Sequence, residues 1–545
     1  MSRVTDGNPI AAAVAHYAVT AAAIAVAWWW LGAPVRLPPS PLAPGAKIYC
    51  LSYAPFRDNQ DPLLESTYVD ARQIDEDLTL LSRYTDCVRT YSTESGQDQV
   101  AAIAQRHGLK VLQGIWISND RARNRRQIAA AVALAKNYPD VIRAVVVGNE
   151  VLLRGDLSAT DLAAIIREVK AQVSQPVTYA DVWEFWQRNS NLANAVDFVT
   201  IHILPYWEDF PVPASQAAAH VESIYKQVAA AIPNKQIVIG EFGWPSEGRM
   251  REGALPSPSN QARVIEETMR WALHDGIRLN IIEAFDQPWK RQFEGPSGGY
   301  WGIFDRAKNG PKFTFGGSVS DHPHWLTQAA AGILLAALVF LSAWLAGRGR
   351  NASPLLWPRI VALAFPPCVL FGWIIERLPI DSFSSAGWLR GLAFALTAAA
   401  APVVCAAACA SGRSAPAFAA VLCRSRRVPD ALGLALAICL IALTVLSLQT
   451  ALGLVFDPRY RDLPFAPQCA GVVAFLVLMV STPGQSERNA AGPRAMAERG
   501  AAAVLALAAV YIALNETFAN WQAVWLCAGL LGLAVILMRA RDAPD

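Results

Sequence analysis

Two glutamates 91 positions apart each close an apolar run: Glu150 ends VVVGNE and Glu241 ends IVIGE. A carboxylate in such a place is costly to bury without a partner or a task. Taken alone, Glu150 reads as an ordinary loop carboxylate. Taken together, the pair has the composition needed to break or make a glycosidic bond. One carboxyl protonates the leaving oxygen, while the other attacks the anomeric carbon or activates water. Aromatic residues recur near the same run ends, among them Trp116, Trp183, Trp207, Trp244 and Trp289, and sugar faces stack on such rings. Simpler readings stand beside these. Trp183 and Trp186 lie three apart and fit one helix face, His202 alone reads as a satisfied interior histidine, and Asp286 as a turn cap. Glu241 resists that treatment, because Gly240 and Gly243 leave little bulk beside it.

The elements that must position these residues follow a rhythm from Lys47 to Asp286: short apolar strand, polar turn, amphipathic helix. The predicted strands are IYCLSYAPF, DCVRTYS, LKVLQGIWIS, VIRAVVVGNE, PVTYADVW, VDFVTIHILPYW, QIVIGEFGW and LNIIEAFDQPW. Eight strands alternating with helices over about 250 residues predict an α/β fold, a (β/α)8 TIM barrel. An open doubly wound sheet is the rival, but no Gly-rich phosphate fingerprint follows the first strand, so nucleotide binding has no support. Barrel chemistry sits at the C-terminal strand ends. Those ends carry Tyr53; Arg89 and Tyr91; Trp116; Asn149 and Glu150; Asp181 and Trp183; His202, Tyr206 and Trp207; Glu241 and Trp244; Glu283, Asp286 and Trp289.

VVVGNE followed by IGEFGWPSEG resembles glycoside hydrolase family 17, the β-1,3-glucanase family, within the clan of retaining (β/α)8 glycosidases. VRTYS, residues 88–92, and IIEAFDQPWK, residues 281–290, resemble its second and eighth strand ends, and the resemblance covers roughly residues 47–315. It implies Glu150 as acid/base, kept protonated by its neighbour's charge, Glu241 as nucleophile, and Asn149 on the sugar 2-hydroxyl. It further implies that Tyr206 orients Glu241. Tyr53, Tyr91, Trp244, Glu283 and Trp289 would shape sugar subsites, with Arg89, His202 and Asp286 among the substrate-binding set. No metal and no cofactor are expected.

Composition divides the chain. It has 545 residues, 53% hydrophobic and 17% charged, too apolar and too long for one soluble core. All nine lysines lie between Lys47 and Lys312. Apolar spans are predicted near 10–31, 325–347, 358–375, 388–411, 430–453, 465–482, 500–515 and 520–538. Arginines favour one side of these spans: Arg348, Arg350, Arg413, Arg424, Arg426, Arg427, Arg488, Arg494, Arg499, Arg539 and Arg541. The other side holds Arg377, Arg390, Arg459 and Arg461, partly matched by Glu376, Asp381, Asp457 and Asp462. By the positive-inside rule both termini are cytoplasmic. The expected organisation is an N-terminal anchor (1–32), a periplasmic glycosidase domain (33–324) and a membrane domain of about seven helices (325–545). The setting is a bacterial inner membrane, because the chain looks like anchored bacterial members of the family.

Of nine cysteines, seven lie in or beside the spans. Cys50 and Cys87 fall on the first two predicted strands, where a bridge and two free core thiols are both open. The spans show no buried charge of the kind an ion-coupled pump needs, and His16 and Gln449 read as packing. The expected partners are a β-glucan chain, the lipid bilayer and, for a role in glucan synthesis, a membrane glucan synthase. A net charge of +3 without a basic stripe argues against nucleic acid. Strict β-1,3-glucan hydrolysis, a non-catalytic glucan-binding or export scaffold, and a transporter with an appended sugar-binding domain are the competing readings.

Overall fold

The computed structural model describes residues 9–307, 309–350, 353–418, 421, 430–482 and 496–539. The chain divides into two compact units, Pro34–Val319 and a helical unit made of Met1–Ala33 with Ser320–Asp545.

The first unit is a closed barrel of eight strands in sequential order. We number them β1 (Cys50–Ser52), β2 (Cys87–Arg89), β3 (Lys110–Ile115), β4 (Ile142–Asn149), β5 (Val177–Val182), β6 (Val199–His202), β7 (Ile237–Phe242) and β8 (Leu279–Ile281). Every pairing is parallel, and Leu51 of β1 opposite Ile281 of β8 closes the ring. The (β/α)8 expectation is borne out.

β4 shows why its sequence is a continuous β-branched run. Val145 and Val147 belong to the large core shared with the helices. Ala144 and Val146 face a small cluster with Leu112, Ala180, Cys50 and Cys87. A strand covered on both faces has no side on which a polar residue is favoured. Cys50 and Cys87, left open by the sequence, are joined by a disulfide that ties β1 to β2 within this cluster.

The helices between strands start where short polar side chains cap them. Asp70 accepts from the Gln73 amide, Asp120 from Ala122 and Arg123, and Ser158 from Asp161. Ile74, Leu78 and Leu81 then line the buried face of the first of these helices. The barrel ladder shifts register between Val146 and Asn149, between Ile201 and His202, and between Ile239 and Phe242. Such irregularities re-aim side chains, and these fall beside the candidate chemistry.

Among the described residues of the helical unit, seven helices are long and apolar enough to cross a membrane: Ile10–Leu31, Trp325–Ala346, Leu356–Asp381, Ser385–Ser411, Ala431–Phe456, Met496–Glu516 and Trp521–Met538. Phe465–Ser481, where the sequence predicts a further span, is a shorter apolar helix. Arg377 pairs with Asp381 at 2.6 Å and Arg461 with Asp457 at 3.2 Å, so each of these arginines is matched by an acid four residues away. Arg424, Arg426, Arg427, Arg488, Arg494 and Arg541 lie outside the described residues.

Acids stand at the ends of these helices, just outside the apolar spans predicted at 358–375 and 500–515. Glu498 is 1% exposed and accepts from the Phe418 amide, and Glu516, also buried, accepts from Asn520. Glu376 pairs with His322 at 2.7 Å and takes Gln328 Nε2 at 3.1 Å. All three lie within about two turns of a helix end, beyond the stretch that a hydropathy count marks as apolar. The His322 pair also places residues 320–324 in the helical unit, so the barrel unit ends at Val319.

Candidate active site

The site is built on the C-terminal ends of β2, β4, β6 and β7. β4 must turn sharply to present its last residues. Gly148 takes φ +87°, and a Cβ there would stand 2.7 Å from Val151 Cγ2, so only glycine fits. Glu150 itself adopts φ +53°, a left-handed conformation that costs a non-glycine residue about 1 kcal/mol or more. Its amide is fixed by a 2.8 Å bond to the Ala180 carbonyl.

Arg89, on β2 and 1% exposed, ties the two carboxylate-bearing strands together. Nη1 donates to the Gly240 carbonyl at 2.8 Å and to Glu241 Oε1 at 3.0 Å, and Nη2 donates to Asn149 Oδ1. The buried guanidinium therefore neutralises Glu241 and sets the Asn149 amide in one motion. Its face lies 4.8 Å from the Tyr91 ring centroid.

His202, at the end of β6, stands between the carboxylates. Nδ1 is 2.8 Å from Glu150 Oε1 and Nε2 is 3.6 Å from Glu241 Oε1. Oxygens of Glu150 and Glu241 lie within 4.8 Å of each other and of the imidazole. Among the described residues, these three groups could together offer donors to a cation. Arg89 already supplies the countercharge, however, and the two imidazole nitrogens face different carboxylates. The arrangement fits proton transfer better than metal ligation.

The electrostatics correct one expectation. Burial pushes the Glu150 carboxyl up, but the hydrogen bond and charge of His202, with Lys290 and Arg154, carry it below the ordinary glutamate value. The charge of Glu241 does not keep it protonated, because the groups that dominate its surroundings are basic. Glu283, after β8, is pushed up by burial to about 7, although Lys290 Nζ lies 2.6 Å away. Burial also raises Glu294, against the pull of Lys290.

Other predicted site residues are placed differently from expectation. Tyr53 is fully buried and donates to Asp77 Oδ2 at 3.0 Å, so it offers no ring to a sugar. Trp244 is fully buried with Nε1 on the Leu255 carbonyl. The Tyr206 hydroxyl, expected on Glu241, gives its proton to the Arg249 carbonyl at 2.9 Å and meets Ser297 Oγ at 2.7 Å. The orienting bond on Glu241 comes from Arg89 instead. Asp286 accepts from the Gly302 amide at 2.9 Å and pairs with Lys312 at 2.8 Å, which makes it a staple for the chain returning past β8. Tyr91, Trp116, Trp207 and Trp289 are half-buried and keep surface to offer.

Sequence reasoning passed over Arg154, Lys290 and Glu294. Arg154 donates to the carbonyls of Asn149 and Ile117 and lies 4.3 Å over the Trp116 ring. Lys290 is the last letter of IIEAFDQPWK, a motif already in view; Arg154 sits in a loop and Glu294 in the short helix Arg291–Gly298, where no pattern marks either.

Residues 50–302 match the family model described as the BtgE/BtgC glycoside hydrolase domain. This stretch is a glycoside hydrolase domain of that family. The resemblance to family 17 drawn from the two Glu motifs is thereby borne out. The glycoside hydrolase domain has curated relatives of similar sequence. An Aspergillus niger protein named as a glucan endo-1,3-beta-glucosidase, btgC, is 28% identical over 292 residues, covering 48% of this chain and 40% of its own length. A Schizosaccharomyces pombe glucan 1,3-beta-glucosidase is 28% identical over 235 residues, 39% of this chain and 72% of its own. The chain thus spans about two fifths of the length of the Aspergillus relative. Among solved structures, an active-site mutant of Rhizomucor miehei beta-1,3-glucanosyltransferase in complex with laminaritriose is 26% identical, with a TM-score of 0.44, covering 49% of this chain and 97% of that one.

Proposed function

We propose that the barrel acts on β-1,3-glucan chains as a retaining glycosidase and transglycosylase, by double displacement. The observation that carries this reading is the approach of Glu150 and Glu241 oxygens to within 4.8 Å. That fits the roughly 5–5.5 Å spacing of retaining enzymes and falls short of the roughly 6.5–9.5 Å that leaves room for water in inverting ones. Glu241, held by Arg89, attacks the anomeric carbon. Glu150 gives its proton to the leaving oxygen, and Asn149, set by Arg89, meets the 2-hydroxyl. Once the glycosyl ester forms, Glu150 takes a proton from the acceptor hydroxyl. Its depressed carboxyl, favoured as the anion by His202, suits the first step least and this second step best.

With a sugar hydroxyl as acceptor the product is a remodelled glucan. With water it is a shorter chain, a reading the names of the Aspergillus niger and Schizosaccharomyces pombe relatives favour. A scaffold without turnover is disfavoured, since it needs neither carboxylate and both are in place. Arginine placement supports a bacterial inner-membrane protein with the barrel in the periplasm and both termini cytoplasmic. The Cys50–Cys87 bridge agrees with an oxidising compartment. In that setting the bilayer is a partner and a membrane glucan synthase is the natural source of substrate.

The test is product analysis by mass spectrometry on defined laminari-oligosaccharides with full-length protein in detergent. Products longer than the input establish transfer, and only shorter ones establish hydrolysis. No turnover, or turnover retained in Glu241→Ala, overturns the catalytic reading.

A further inference from the structure

The turn that carries Glu150 is not held by β4 alone. Next to it on β5, Asp181 is fully buried and out of reach of any substrate. Asp181 Oδ2 accepts from the Leu152 amide at 3.2 Å and from the Tyr179 hydroxyl, and Oδ1 accepts from the Val182 amide at 2.8 Å. The Leu152 amide is shared with the Tyr179 oxygen at 3.0 Å. The Tyr179 ring also closes on the turn: a Cβ on Gly148 would lie 3.4 Å from its edge. Residues 148–152, with departures into positive φ at Gly148 and Glu150, are therefore pinned to β5 through the Glu150 and Leu152 amides.

We propose that Asp181, working with Tyr179, is a positioning residue for Glu150: it holds the strained turn so that the Glu150 carboxyl meets the leaving oxygen. This rests on the acid/base reading of Glu150. Its charge has a second effect. The groups facing Glu150 are His202 on β6, Arg154 in its own loop, Lys290 after β8, Glu294 in the helix Arg291–Gly298, Glu241 on β7 and Asp181 on β5. The basic groups favour the Glu150 anion, and Asp181 is a buried acid that opposes them. Burial holds its own carboxyl up, to about 6, against the Tyr179 hydrogen bond, with the charge of Glu150 adding to the rise.

A residue that positions the acid matters only when the leaving group needs a proton. The test compares kcat/KM of full-length Asp181→Asn and Tyr179→Phe on a laminari-oligosaccharide and on a 2,4-dinitrophenyl β-glycoside of the same chain length. The second leaving group departs without protonation. In Asp181→Asn the ratio of activated to natural substrate should rise about 100-fold, the loss expected when a reacting group is misplaced. Tyr179→Phe should move it the same way by less. An unchanged ratio, through equal loss on both substrates or no loss on either, overturns the proposal. If Asp181→Asn does not fold, Tyr179→Phe decides by the same ratio. Glu150→Ala serves as the control: a ratio unchanged there means that the acid reading itself has failed, not the positioning.

Discussion

His202 Nδ1 lies 2.8 Å from Glu150 Oε1, with the imidazole fully buried at the end of β6. A group assigned to give a proton is thus paired with one that favours its anion.

The pH dependence of cleavage follows from this contact. Glu150 must be protonated for the first step, so kcat/KM falls as pH rises through its carboxyl value. His202 depresses that value. In His202→Phe the depression is lost, the protonated form persists to higher pH, and the alkaline limb of kcat/KM moves upward. The stability term has the opposite sense: a depressed carboxyl stabilises the fold above the ordinary glutamate value and loses that contribution on acidification. His202→Phe should therefore lose less stability between neutral and acid pH than the parent protein. A limb that stays in place or moves down would show that another group sets it.

Arg89→Lys should be severe despite conserving charge. One ammonium cannot serve the Gly240 carbonyl, Glu241 and Asn149 together, as the guanidinium fork does. We expect a fall in kcat/KM of about 100-fold, with a cost of about 1–3 kcal/mol from the unmatched buried acceptors. Steady-state kinetics and thermal unfolding check both parts.

Gly148→Ala tests the turn geometry. Alanine at φ +87° would place Cβ 2.7 Å from Val151 Cγ2, so strain and collision add, at about 1–3 kcal/mol. Thermal unfolding should show the barrel transition lowered, and turnover should fall with it because Glu150 follows two residues later.

The barrel and its paired glutamates were legible because periodicity and strand-end position are local properties of the chain. Which way a strand-end side chain turns is not. Tyr53, Trp244 and Tyr206 occupy expected strand ends, yet their rings are buried, since the register shifts and the loops above them decide the direction. Asp181 was visible as the end of β5, but its tie to Leu152 depends on two neighbouring strands being brought together. Arg154 and Glu294 lie in segments where no period marks them. The acids of the helical unit escape a sequence reading for another reason: Glu376 and Glu498 sit within one or two turns of helix ends, beyond what a hydropathy count marks as apolar.

The left-handed backbone at Glu150 has a consequence for evolution and for engineering. A glycine there would relax the chain, so Glu150→Gly should melt above Glu150→Ala, by an amount equivalent to about 1 kcal/mol. The position most useful to chemistry is thus one where the fold alone would select a different residue, and its glutamate marks a trade of robustness for reactivity. Screens for thermostable variants will be drawn to this turn, and those that succeed there will be inactive.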